Sequence, residues 1–245
     1  QKDQLEHELQ VVSQLQRNLL PEHLPAVEGL ELAVHYETSR YAGGDYYDFA
    51  PLPDGRLALL VADAEGHSAP ATVMMAMTCA LFRSSSSLRE APDRLLSFLN
   101  DNLCQVNRES FVTAIYGVYD APRRTLRLSR AGHPLPILYR SSQNQADEVE
   151  CEGVFIMGWE PFSRVPVTEI RLEPGDRLLL FTDGISERSN DQLELYGTDR
   201  LVLQLEQNGA KPPGKILDAI LEDLTRFAGS RPADDDQAML LMAVD

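Results

Sequence analysis

Hydrophobic positions change their period several times along the chain, and each change marks an element. From Asp3 to Leu20 there is no Gly or Pro, and Leu5, Leu9, Val12 and Leu19 recur at spacings of 4, 3 and 7 with Gln16 in the missing seam position. That is the pattern of an amphipathic helix, ended at Pro21. Two roles fit it: packing on its own domain, or pairing with a second chain as a coiled coil. Fewer than three heptads do not choose between them. After the turn at Pro21 to Pro25 the period shortens to two, with Leu30, Leu32, Val34 and Tyr36 alternating with Glu31, His35 and Glu37, so a half-buried strand is expected.

Two continuous apolar runs follow the pattern of central strands: Leu57 to Ala62, ending at Asp63, and Leu178 to Phe181, ending after Thr182 at Asp183. A last strand, Ala238 to Val244, begins just after Asp234, Asp235 and Asp236. Three separate strands therefore carry acids at their tips. Helical stretches are expected over Ala69 to Phe82, Pro92 to Val106, Thr198 to Gln207 and Pro213 to Phe227, and strands over Phe111 to Tyr119 and Thr125 to Arg130. Ser141 to Glu148 reads as a polar loop. Neighbouring strands without helices between them argue against a doubly wound parallel sheet. The expected fold is α+β, a central antiparallel β-sandwich flanked by helices on both faces, with residues 1–22 as a linker or coiled-coil helix ahead of a domain at 23–245.

Composition narrows the partners. Twenty-two Lys and Arg against 38 Asp and Glu give a formal net charge of −16, which opposes contact with nucleic acid or an anionic membrane. Cys79, Cys104 and Cys151 form no CxxC pair, so neither a disulfide framework nor a zinc site is indicated, and a cytoplasmic location fits. No apolar run approaches the roughly 20 residues that span a bilayer. The chain opens with Gln1 rather than Met and is expected to be a fragment of a longer protein.

Four acidic loci are candidates for chemistry: Gly43-Gly44-Asp45-Tyr46-Tyr47-Asp48, Asp63 to His67, Thr182-Asp183-Gly184 with Glu187 beyond it, and the Asp234 to Asp236 triplet. Each alone has an ordinary reading: a glycine turn, a helix cap by Asp63, a solvated acidic loop. Together they describe an oxygen-rich site for hard cations such as Mn²⁺ or Mg²⁺, which take few carboxylates and keep several waters. A GxSxG elbow and a GxxxxGK[ST] loop are both missing from the sequence. The Gly43-Gly44-Asp45 run also prompts a diguanylate cyclase reading, but Tyr46 and Tyr47 stand where Glu and Phe would be required.

In order along the chain, Leu19-Leu20-Pro21, Gly43 to Asp48, Asp63 to His67, Ala131-Gly132-His133-Pro134, Phe181 to Gly184, Tyr196-Gly197 and the closing aspartates resemble the PP2C-type metal-dependent protein phosphatases, in particular the bacterial SpoIIE and RsbU branch. The resemblance implies two Mn²⁺ or Mg²⁺ ions. Asp45 matches the acid of the second ion, with the Ala64 backbone carbonyl beside it. Asp63 matches the acid bridging both, and Asp183 and Asp235 match the acids of the first. Asp48 and Asp236 are spare acids nearby. Arg40 matches a phosphate-contacting position, and His67 could donate a proton to the leaving oxygen.

The activity so implied is hydrolysis of phosphoserine or phosphothreonine on a regulatory protein, of the anti-sigma-factor antagonist type, by a water that the ions activate. A sensor or receiver domain upstream, and a homodimer through the N-terminal helix, are further expectations. The competing function is a catalytically weak phosphatase-fold adaptor that binds a regulatory partner. Glu65, Ser68 and Ala238 depart from the family's usual Ser, Gly and Thr, and none of them removes a proposed ligand.

Overall fold

The structure, a computed structural model, describes residues 11–39, 42–66, 69–106 and 110–245. Two sheets face each other. The first has the order β1 (Leu30–Glu37), β11 (Gln237–Val244), β10 (Arg177–Phe181), β6 (Ile137–Arg140), β7 (Gln145–Glu148). The second has the order β2 (Asp45–Pro51), β3 (Arg56–Ala64), β4 (Val112–Asp120), β5 (Thr125–Ala131), β8 (Gly153–Val154), with β9 (Thr168–Arg171) also paired to β5. Pairing between these strands is antiparallel except for β8, which runs parallel to β5 over two residues.

Three apolar clusters follow from strand parity, because successive side chains point to opposite faces. Leu57, Leu59 and Val61 of β3 meet Leu178 and Leu180 of β10 and Leu240 and Met242 of β11 between the sheets. On the outer face of the second sheet, Ala58, Leu60 and Ala62 pack against α2 (Ala69–Ser84) and α3 (Pro92–Leu103). Beyond the first sheet, Leu179, Met239 and Leu241 pack against α5 (Thr198–Asn208) and α6 (Pro213–Ala228), reached after the short α4 (Asp183–Ser186). This is the expected α-β-β-α layering. Since β3 and β11 are covered on both faces, their sequences read as unbroken apolar runs rather than alternating ones.

Ends shift by small amounts. The helix expected to reach Val106 stops at Leu103, and the strand expected from Ala238 begins at Gln237. A larger correction concerns Ser141 to Glu148, which holds a turn and the edge strand β7, paired to β6 from Ile137↔Glu148 to Arg140↔Gln145. Only Ala146 of that strand is buried, so its sequence carries no alternating signal, and the hairpin itself sets the register.

Residues 11–17 are helical, named α1 here, and the segment after them docks on its own domain. Leu19 and Leu20 pack against the cores, and Arg83 Nη2 of α2 donates to Leu19 O at 2.6 Å. Val11, Val12 and Leu15 stay exposed.

Candidate metal centre

Strand parity delivers the acids. Asp45 and Asp63 are directly paired at the ends of β2 and β3, both on the face that looks between the sheets. Asp183 opens α4 immediately after β10, and Asp235 lies two residues before β11, so the other sheet brings its carboxylates to the same end.

Their electrostatics report the convergence. Asp45, 1% exposed, is held well above the usual carboxylate range by burial and then by the charge of Asp63. Burial, followed by the charges of Asp183 and Asp235, pushes Asp63 up to about 8. Asp183 rises to about 6 through burial, then Asp235 and Glu187. No Lys or Arg figures among the charges that act most strongly on these three groups. A cluster of carboxylates that disfavour one another's charge, with no basic side chain to balance them, is a setting for cations.

Among the described residues no three His, Cys, Asp or Glu side chains form a ready ligand cage. Mg²⁺ and Mn²⁺ do not need one, because they bind through one or two carboxylates each and keep water on the remaining positions. The donor set fits such ions: carboxylate oxygens and a main-chain carbonyl, all hard. Glycines make the approach possible. Gly44 runs so close to Ala64 O that a Cβ there would overlap it, and a Cβ on Gly184 would overlap Asp236 O.

The acids named from sequence divide into different roles. Asp48 lies three residues beyond Asp45 on one strand and therefore points to the opposite face, away from the centre. There it accepts from Tyr46 Oη and, at 2.9 Å, from Arg83 Nε. It is a structural anion and is withdrawn from the ligand candidates. Asp236 Oδ1 accepts from Ser39 N–H at 2.8 Å and Oδ2 accepts from Gly44 N–H at 2.8 Å, so this carboxylate pins the β1–β2 loop. Asp234 faces outward and pairs with Arg231 at 2.8 Å. Of the triplet, Asp235 is a charged neighbour of both Asp63 and Asp183, while Asp236 adds its charge to those acting on Asp63 and Asp45. Arg40 and His67 lie outside the described residues.

Sequence reasoning passed over three supports. Thr182 Oγ1 donates to Asp45 Oδ2 at 2.7 Å, Tyr36 Oη donates to Asp45 O at 3.2 Å, and the Gln16 carboxamide bonds the main chain of Gly43. Gln16 did carry a signal, as a polar residue on an otherwise apolar seam. His133 is buried with Nδ1 2.9 Å from Thr113 Oγ1, and Thr113 stands opposite Asp63 in the β3–β4 ladder.

Comparison with known proteins places this geometry. The fold is that of PP2C phosphatases: the SiaA-PP2C domain of Pseudomonas aeruginosa superposes with a TM-score of 0.88 at 19% identity, covering 100% of this chain and 98% of that one. Residues 53–245, more than half of the chain, match the family model of Stage II sporulation protein E (SpoIIE), and the chain belongs to that family of PP2C-type protein phosphatases.

Phosphoserine phosphatase RsbU of Bacillus subtilis (strain 168) is 24% identical over 98% of this chain and 71% of its own length. Protein IcfG of Synechocystis sp. is 25% identical over 95% of this chain, which spans only 41% of that relative. The RsbU and RsbW domains of Rv1364c from Mycobacterium tuberculosis give a TM-score of 0.78 at 28% identity over 90% of this chain and 61% of that one. RsbX in complex with magnesium gives 0.66 at 15% identity over 91% of this chain and 99% of that one. This PP2C fold overturns the diguanylate cyclase reading, since Gly43 and Gly44 enter an edge strand of a sandwich.

Proposed function

We propose that the chain is a metal-dependent protein serine/threonine phosphatase that removes phosphate from phosphoserine or phosphothreonine on a regulatory protein of the anti-sigma-factor antagonist type. The observation that carries this reading is the meeting of Asp45 and Asp63 from one sheet with Asp183 and Asp235 from the other, with no balancing base among their strongest neighbours. Two Mn²⁺ or Mg²⁺ ions, when bound, supply Lewis-acid activation of water and neutralise charge on phosphoryl oxygens.

The chain's own residues then have separable tasks. Asp45 and the Ala64 carbonyl would hold the second ion, Asp63 would serve both, and Asp183 with Asp235 would hold the first. Thr182 and Tyr36 fix the side chain and the main chain of Asp45. The name of RsbU, a phosphoserine phosphatase, supports phosphoserine as the substrate group, and RsbX with magnesium supports the choice of ion. An upstream sensor or receiver domain ahead of residues 1–22, the phosphatase domain at 23–245, and pairing of two chains through the exposed Val11, Val12 and Leu15 complete the proposal. A cytoplasmic location is part of the proposal: Cys79, Cys104 and Cys151 form no disulfide, and no helix among the described residues is long and apolar enough to cross a membrane.

The test is phosphate release from an aryl phosphate with Mn²⁺, Mg²⁺ or chelator, alongside Asp183→Asn. Release that needs the ion and vanishes in the variant is expected. Folded protein that binds a partner but releases nothing under either ion would favour the adaptor instead.

A further inference from the structure

Two leucines stand in solvent on a hairpin that grows out of the proposed metal centre: Leu193 is 69% exposed and Leu195 58%. Leu193 N–H donates to Asn190 O at 3.0 Å and Asn190 N–H donates to Glu194 O at 3.0 Å, so Asp191, Gln192 and Leu193 form a three-residue loop. The last position of such a loop takes a left-handed conformation and suits glycine. Here it is a leucine at φ 64°, a strained choice for a bulky side chain that gains little burial in return.

The hairpin is held stiffly at its tip and at its base. Buried Asn190 accepts on Oδ1 from Gln192 N–H and Glu194 N–H, both at 2.9 Å, and donates from Nδ2 to Glu194 Oε2 at 2.8 Å. Gly197 N–H donates to Ser186 O at 2.8 Å, in the short helix α4 that opens with Asp183. On the other side the Arg188 guanidinium donates to Arg231 O and Pro232 O, and Ser189 Oγ donates to Asp234 Oδ2 at 3.3 Å. Both attachments are therefore the segments that lead to the proposed acids of the first ion, Asp183 and Asp235.

The second sheet carries an apolar counterpart at the same end. Met157 and Val112 exchange main-chain bonds at 2.8 and 3.0 Å, and Val112 pairs with Ala64. Two residues to either side of Met157 in sequence are Phe155, 66% exposed, and Trp159, 55% exposed. A chain of net charge −16 repels an anionic phosphoprotein, and no Lys or Arg is among the strongest charges on the acids. Affinity for the protein around the phosphate therefore has to come from uncharged contact. A second copy fixed on this end would close the entry to the centre, whereas a substrate comes and goes.

We propose that Leu193 and Leu195 are a docking element for the phosphoprotein substrate, seating an apolar patch that flanks its phosphorylated residue, with Phe155 and Trp159 on the other sheet's side. The inference rests on the phosphatase reading above and adds to it the place where the substrate protein is chosen.

The experiment uses the 245-residue chain and two peptides of about 20 residues with a central phosphoserine, which extend to roughly 65 Å and so cross the whole end of the domain. One peptide has Leu at alternate positions among Gln, and the other has Ser in place of each Leu. KM and kcat with Mn²⁺ on both peptides and on an aryl phosphate are compared for wild type, Leu193→Gly, Leu195→Ser and the conservative Leu195→Met. Anisotropy of the labelled peptides in chelator reports binding without turnover. Wild type is expected to prefer the Leu peptide. Leu193→Gly and Leu195→Ser are each expected to lose about fivefold in kcat/KM on it relative to the aryl phosphate, through KM, while Leu195→Met keeps the preference. Leu193→Gly is also expected to melt about 2–4 °C above wild type, a gain in stability alongside the lost docking that a packing role would not give. Equal use of the two peptides by wild type, or a preference that survives in both variants, overturns the proposal and leaves the phosphatase reading intact. If wild type releases phosphate from none of the three, that reading fails and peptide binding decides: a Leu preference lost in the variants supports the docking surface, and equal binding overturns it.

Discussion

Thr182 of β10's C-terminal end donates its hydroxyl to Asp45 of β2 at 2.7 Å, and the same oxygen accepts from Ala238 N–H of β11 at 3.0 Å. One buried hydroxyl therefore joins both sheets at the proposed metal centre. Thr182→Val keeps the shape but leaves the amide and the carboxylate without this partner. A loss of about 1–3 kcal/mol in unfolding free energy is expected, together with weaker Mn²⁺ binding, and Thr182→Ser should restore much of both. Denaturant unfolding and calorimetry check the pair; a valine variant as stable as wild type would show that the hydroxyl bridges nothing of consequence.

Repulsion within the cluster makes an opposite prediction for Asp63. Asp63→Asn removes one of the charges that raise Asp45 while retaining atoms able to hydrogen-bond it. In chelator the variant should melt about 2–4 °C higher than wild type, the shift that roughly 1 kcal/mol produces in a chain of this size. With Mn²⁺ present it should gain nothing and release no phosphate. A lower melting temperature in chelator would mean that the carboxylates support the fold and do not strain it.

Asp48 should behave unlike Asp235. Its carboxylate is 6% exposed and paired to Arg83, so Asp48→Asn is expected to cost about 1–3 kcal/mol of stability. Its Mn²⁺ affinity should match wild type, whereas Asp235→Asn should lose affinity with little loss of stability. Calorimetry on both variants decides; an equal loss of affinity would return Asp48 to the ligand set.

His133 is pushed down from 6.5 to about 3 by burial, with the nearby Arg130 charge adding to it. The folded state therefore keeps the imidazole neutral where the unfolded chain would protonate it. The resulting stability is complete above about pH 6.5 and declines as pH falls toward about 3, by at most about 1.4 kcal/mol per unit. Imidazole resonances of His133 should remain those of the neutral ring at pH 5, and titration near 6.5 would contradict the buried placement.

The apolar runs ending at Asp63 and Asp183 were legible because a strand covered on both faces has no polar position to spend, so an acid at its end stands out. The layering was legible for the same reason, through helical and strand periods in a fixed order. Asp48 was misread because a local run of acids does not say which face each takes. That required β2 to pair with β3, after which a three-residue separation sent Asp45 inward and Asp48 outward. β7 was missed because an edge strand with one buried residue has no pattern to read.

By itself the sequence determined most of the element types, the order of the acidic loci and the hard-oxygen character of their donors, since these depend on local period and residue type. Only the tertiary structure decided that the acids of two sheets share one end, that Asp234, Asp235 and Asp236 take three different tasks, and that Gln16 grips Gly43 across 27 residues of chain. Those outcomes depend on which surfaces close on each other, and closure is set by the packing of the whole sandwich.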